Sequence, residues 1–393
     1  MVSRLAYALL PLLGLVLTTA CGGDQEASPE VDTGTYRHTV GVALLEHVVL
    51  PRLARLSELA REFETEASHQ QAAESANFAV LQSHWLATME LVQELEVLQI
   101  GPAANSATRK GGDDQRDRLY SWPLTNSCRV DQVLVSGIYE QSDFAGRVMA
   151  NVLGLDALEE LLFRGGDFHT CPPQLPIEAE GQWDALGESE RNSRRLGYIA
   201  ALARGVRSDA ENLQAAWAPS GGNFLGQAQN PGGDSLFSSP QCLLNELFAA
   251  MFHLDLVTKD RRIAIPAGIS PDCNVASCPH LLEFPNAPVS GLAVQANLRG
   301  VAALFSGDGG DGFDALLRHE GSPELAGAIE TALKDAQDAA RSLEVDWALL
   351  LENDPDALNE LHAKVKVVTD LLKTQLASVL NLSVPQEGAA DND

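Results

Sequence analysis

Apolar residues recur three and four positions apart along most of this chain. VGVALLEHVVLPRLARLSELAREFETEA, NFAVLQSHWLATMELVQELEVLQI and NSRRLGYIAALARGVRSDAENLQAAW all carry that spacing. It is the period of helices with one buried face. Beyond residue 240, CLLNELFAAMFHLDLVTKD, LAVQANLRGVAALF, ELAGAIETALKDAQDAARSL and DALNELHAKVKVVTDLLKTQLASVL repeat it. Alternating runs of β-branched residues, the mark of strands, are almost absent. The pattern predicts an all-α chain. Pro51 falls inside the first run and is expected to kink or restart that helix, because its ring removes a backbone donor.

The period lapses between residues 219 and 239, a stretch dense in Gly, Pro, Ser and Asn. This predicts a linker between two consecutive helical bundles, 38–218 and 240–384, followed by a tail at 385–393. The halves share an echo: GLDAL at 154–158 returns as GFDALL at 312–317. It suggests a diverged duplication and supplies an internal comparison. Leu317 stands in the second copy where Glu159 stands in the first, so the local fold does not demand an acid there.

The first twenty residues follow different rules. Arg4 precedes an apolar run from Leu5 to Leu17, too short to cross a bilayer and suited to a secretory signal. The signal ends in LTTAC, similar to a bacterial lipobox, although Thr18 stands where a bulky aliphatic residue is usual. Residues 1–20 are therefore expected to be removed, leaving Cys21 as an acylated N-terminus and 21–37 as a polar tether. No later segment has 18 consecutive apolar residues.

The formal net charge is −27. So acidic a chain repels phosphate backbones, and there is no basic stripe, which argues against a nucleic-acid partner. With Cys21 set aside for the lipid, Cys128, Cys171, Cys242, Cys273 and Cys278 remain, an odd number in a compartment that permits disulfides. At least one is expected free or intermolecular. Cys273 and Cys278 could close a short loop, and Cys128 and Cys171 could tie two loops together. Zinc is the weaker reading of CNVASC, because no second Cys or His pair follows at finger spacing.

Chemistry concentrates at GLDALEELLF, residues 154–163. At 100° per residue, Asp156, Glu159 and Glu160 share one side of a helix and the leucines take the other. Composition alone favours a solvated face, and acids in a first turn gain about 0.3–1 kcal/mol each from the helix dipole without any function. Phe163, which falls among the acids, does not suit that reading. Other patterns carry less. GDGGDG at 307–312 has the glycine spacing of a dinucleotide loop but follows a helix and bears two aspartates, so it reads as a polar turn. HLLE at 280–283 sits between prolines and reads as loop. His47, His84, His253 and His362 lie in amphipathic stretches, where a packed or surface histidine is the default. Neither His-Glu-x-x-His nor Gly-x-Ser-x-Gly occurs.

The succession VVLPRLARL, LEVLQIGPA, YSWPL, GLDALEELLF, KDRRIAIPAG, SGLAVQANLRGVAALFSG and GFDALL resembles the imelysin-like proteins, in the same order, over roughly residues 40 to 380. The resemblance implies an exported, often lipid-anchored protein of two helical bundles, associated with bacterial iron acquisition. It also implies, as the alternative, a metallopeptidase; a structural partner protein with a degenerate site is a further alternative.

The family's metal site centres on Gly-x-His-x-x-Glu, which falls here on Gly154, Asp156 and Glu159, with aspartate in place of histidine. By the same resemblance Glu96 joins Asp156 and Glu159 as a direct ligand. Asp131 is an additional or supporting acid, and Trp122 and Pro123 shape the pocket with Gly154. Glu160 lies off the family positions and reads as solvated. An all-carboxylate set implies a hard cation such as iron in its ferric form, manganese or calcium. The implied setting is the cell envelope, most simply the outer membrane, with the lipid in the membrane and an iron-uptake receptor or ligand as partner.

Overall fold

The computed structural model describes residues 33–164, 167–343 and 345–389. Cys21 and the proposed signal lie outside them. Every regular element among the described residues is helical, and no described helix is long and apolar enough to cross a membrane.

The first half contains α1 (Thr33–Leu44), α2 (Leu50–Ala73), α3 (Phe78–Glu96), α4 (Gln115–Leu119), α5 (Ser127–Ser136), α6 (Phe144–Arg147), α7 (Gly154–Phe163), α8 (Pro176–Ala179) and α9 (Glu188–Trp217). Then come α10 (Phe224–Gln229), α11 (Pro240–Met251), a π-helical stretch Leu254–Ala264, α12 (Ser290–Ser306), α13 (Phe313–His319), α14 (Pro323–Ser342), α15 (Trp347–Asn353) and α16 (Asn359–Asp370).

Local chemistry sets the boundaries. A π-helical turn, Leu45–Val49, separates α1 from α2, and Pro51 sits in the first turn of α2, where its missing N–H breaks no bond. Thus Pro51 restarts the helix rather than kinking it. Asn77, Asn126, Ser239 and Asp346 each accept a backbone N–H at the start of α3, α5, α11 and α15. Gly137 and Gly307 end α5 and α12 in the left-handed conformation, at φ 69° in both cases.

Packing follows the predicted stripes. Leu53, Leu56, Ala60, Phe63 and Ala67 form the buried stripe of α2, which lies against α3 and α9. In the second half α14 packs between α12 and α16, and α16 lies along the π-helical stretch. The halves meet mainly through α3 and α12. At Gly300 a Cβ would stand 2.2 Å from Val97 Cγ2 and 2.5 Å from the Glu94 carbonyl oxygen, so glycine permits the close approach. Helix α1 lies on α11, which carries the first segment of the chain onto the second half. The 219–239 stretch, expected as a linker, contains α10, and its Phe224 and Phe237 are buried.

Cys128 is bridged to Cys171, and Cys273 to Cys278. No cysteine among the described residues is a free thiol, so the odd thiol expected from counting is not found there.

Candidate functional site

Helix α7 runs through the interior. Every residue from Gly154 to Leu162 is buried, and Asp156, Glu159 and Glu160 are 5%, 5% and 4% exposed. This overturns the solvated reading of the acidic face and of Glu160 in particular. Periodicity finds two sides to the helix, but both are covered: α3 and α9 pack on it, and loops around Ser121 and Asn286 close over the acids.

Neighbours also donate to its carbonyls, including those of Leu161 and Leu162 in its last turn. Trp85 donates to the Leu155 carbonyl at 2.8 Å, Gln82 to that of Leu162 at 2.8 Å, and Arg195 to that of Leu161. Phe163 meets the edge of Trp85, with ring centroids 5.0 Å apart. Gly154 has φ 71°, and a Cβ there would lie 2.6 Å from the Leu119 carbonyl oxygen, so the helix can start this close to α4 only from glycine.

The acids of α7 differ in their partners. Asp156 accepts the Ser121 N–H at 2.6 Å and its hydroxyl at 2.7 Å. Burial nevertheless pushes its carboxyl up to about 6, against the Ser121 hydrogen bonds and the more distant charge of Arg116. Glu159 accepts the backbone N–H groups of Asn286 and Ala287, each at 3.0 Å. Burial pushes it to about 8, with the charges of Glu160 and Asp156 adding to the rise. Neither acid forms an ion pair among the described residues. The echo in α13 places Leu317, fully buried, at the step matching Glu159. Position 159 is thus a core position that holds a carboxylate.

Glu160 instead pairs with Arg164 at 2.7 Å and accepts the Ser127 hydroxyl at 2.7 Å. The same arginine binds Asp131, which also accepts the Thr170 N–H and hydroxyl at 2.8 and 2.9 Å. Asp131 therefore belongs with Glu160, beside the Cys128–Cys171 bridge, and its hydrogen-bond partners among the described residues are Arg164 and Thr170.

Glu96, 1% exposed, is held by Arg116 on one oxygen and Arg262 on the other, with His253 Nε2 at 3.4 Å. Burial favours protonation, but Arg116, Arg262 and His253 more than offset it, and the Glu96 carboxyl lies well below the usual carboxylate range. Arg262 comes from the π-helical stretch. It also binds Glu283, donates to Asn297 Oδ1 at 2.6 Å and lies 3.1 Å from His253 Nε2. Glu283 in turn accepts the Tyr120 hydroxyl and Gln93 Nε2, the latter at 3.2 Å. Trp122 lies beneath the guanidinium groups of Arg261 and Arg262, at 4.7 and 5.4 Å from its ring centre. Pro123 beside it is exposed. Burial keeps His253 uncharged, lowering its pKa to about 3. With Glu96, Gln99 and Arg109 it lines a cleft of about 190 Å³.

The expected ligands therefore fall into three settings. Asp156 and Glu159 lie together without counter-charge, Glu96 sits in an arginine network, and Asp131 is in a separate ion cluster. Tyr120 donates to Glu283 in the arginine network while the next residue, Ser121, donates to Asp156, so one short segment touches both of the first two settings.

The pattern reading missed Arg116, Arg262, Glu283 and Tyr120, and it left His253 among default packed histidines. Adjacent Arg261 and Arg262 in a largely buried stretch were the available signal. Glu283 gave none, because its burial depends on partners distant in sequence.

Comparison with known proteins agrees with this architecture. The imelysin family model matches residues 49–377. An imelysin-like protein from Psychrobacter arcticum 273-4 superposes with a TM-score of 0.67 at 16% identity, covering 89% of this chain and 97% of that one. A protein described as an iron-regulated protein A precursor, from Parabacteroides distasonis ATCC 8503, superposes with a TM-score of 0.67 at 14% identity, covering 91% and 98%. No match to a curated protein was found. The matched span takes in Glu96, α7, the π-helical arginines and Glu283 together, and the chain belongs to the imelysin family.

Proposed function

We propose that this protein is exported, held at the cell envelope by a lipid on Cys21, and binds a metal ion or metal-containing ligand in bacterial iron acquisition. The observation that carries the reading is the pair Asp156 and Glu159: buried, raised in pKa and free of ion pairs among the described residues. Carboxylates so placed must keep a proton or gain a cation, because an isolated buried charge is costly. A hard cation would supply the positive charge that burial otherwise draws from protons.

Glu96 and Asp131 do not fit as direct ligands in this arrangement. Arg116 and Arg262 already occupy Glu96, and Arg164 occupies Asp131, so a cation there would meet guanidinium groups. The described residues contain no cluster of three or more His, Cys, Asp or Glu arranged to hold a metal. Two carboxylates leave most of a coordination sphere to other donors, which water or the rest of a metal-containing ligand would supply. The iron setting is supported by the neighbour described as an iron-regulated precursor.

The test is metal content of the native protein by mass spectrometry, with calorimetric titration of ferric, manganese and calcium ions. Near-stoichiometric uptake is expected in the wild type and none in Asp156→Asn/Glu159→Gln. The amides preserve the neutral shape, so that variant is expected to melt no lower than the wild type. A wild type that arrives empty and takes up none of these ions would sink the reading.

A further inference from the structure

The start of α9, the turn between α2 and α3, and the 3-10 turn Ile138–Glu140 enclose a separate cleft of about 630 Å³. None of its lining residues belongs to the site around α7. Glu74, Glu140, Glu188 and Glu190 line it, and Arg194 is the one basic residue among the lining. Arg194 pairs with Glu190 at 2.8 Å. Glu74, Glu140 and Glu188 are exposed and form no ion pair among the described residues.

Acidic surface is expected of a chain with net charge −27, and the glutamates alone would carry nothing. Tyr139 makes the difference. It is 4% exposed, and its ring stacks on Tyr198 with centroids 5.2 Å apart. Its edge lies on α9 at Gly197, where a Cβ would stand 2.9 Å from Cε2 and 3.4 Å from the hydroxyl oxygen. The Tyr198 hydroxyl donates to the Val152 carbonyl at 2.6 Å. The Tyr139 hydroxyl has no hydrogen-bond partner among the described residues, and Tyr139 is part of the cleft wall. The ring is buried while the hydroxyl oxygen itself opens onto the cleft, where a ligand donor can reach it. A neutral phenol oxygen in a cleft that Glu74, Glu140 and Glu188 also line is an acceptor suited to an N–H donor that carries positive charge.

We propose that this cleft binds an organic polycation, a ligand with two or more ammonium groups. Tyr139 accepts an N–H from one ammonium, and Glu74, Glu140 and Glu188 neutralise the charge. The volume supports an extended organic chain over a single ion, since it corresponds to roughly twenty waters at about 30 Å³ each. The three unpaired glutamates come from three different segments, which suits separated ammonium groups.

Calorimetry on the purified full chain in 150 mM salt tests this, using spermidine, tetralysine and magnesium ions as probes. Spermidine is expected to bind one per chain and to resist displacement by equal magnesium. Tyr139→Phe, which keeps the ring stack, is expected to weaken it about tenfold, and Glu140→Gln/Glu188→Gln by more. Both variants should melt with the wild type, because Phe keeps the ring stack and the groups lost make no hydrogen bond or ion pair among the described residues. If tetralysine binds and competes with spermidine, the ammonium chemistry stands and the natural source is a basic peptide. If spermidine binds and tetralysine does not, the source is a small polyamine. No binding by either, displacement by magnesium at equal concentration, or indifference to Tyr139→Phe overturns the proposal.

Discussion

At the scale of the residue, Glu159 shows what burial does to an acid without a counter-charge. It keeps its proton up to about pH 8 in the folded chain, against an ordinary value of 4.5. Between those values the folded state binds more protons than the unfolded one, so stability falls as pH rises. Asp156 acts with the same sign between 3.8 and about 6. The cation-free protein should therefore lose stability from about pH 4 towards pH 8. Glu159→Gln mimics the protonated acid. It is expected to match the wild type at pH 4.5 and exceed it at pH 8 by on the order of 4 kcal/mol. Equal melting at pH 8 would show that the side chain is hydrated rather than isolated. Asp156, Glu159 and Gly154 were reachable from sequence through the family pattern, and spacing grouped the acids on one side. Their burial was not, because a helical period does not tell how many sides of a helix are covered.

At the scale of the element, the seam between α3 and α12 governs how the two halves meet. Gly300 lets α12 rest on the backbone of α3 at Glu94. Gly300→Ala would insert a methyl group where no space exists, and repacking is expected to cost about 1–3 kcal/mol, read as a lower urea midpoint with an unchanged slope. A neutral or stabilising result would mean that the helices part freely and that their contact does not fix the site. Most helices were legible from their stripes, and Pro51 marked a real junction. The π-helical stretch Leu254–Ala264 was not, since π and α turns share similar apolar spacing over a few residues. Arg262 reaches Glu96 and Glu283 from that stretch, so the arginine network stayed hidden with it. Glu283 was hidden for another reason: it lies in a loop between prolines, where no periodicity reports burial.

At the scale of the whole molecule, the Cys128–Cys171 bridge closes a span of 43 residues around α7. In the chain-entropy picture a loop of that length contributes about 4 kcal/mol. Cys128→Ser/Cys171→Ser is expected to lower unfolding free energy by about 2–4 kcal/mol while leaving the helical content unchanged. A loss below about 0.5 kcal/mol would assign the ordering of this region to the neighbouring Asp131–Arg164–Glu160 ion cluster. The all-helical character was readable from the chain, yet the interlocking of its segments was not. The seating of α1 on α11 joins surfaces some 200 residues apart in sequence, which no local pattern encodes.

The two uncompensated acids of α7 also bear on how such a protein would age in evolution. In a lineage released from its ligand, nothing would offset the burden they place on the fold at neutral pH. Substitution by amides, or by leucine as at Leu317 in α13, would be favoured on stability alone. The acids bound to arginine would resist change, because removing one partner strands the other. Retirement of the function would thus leave its first trace at positions 156 and 159, in chains whose architecture was still intact.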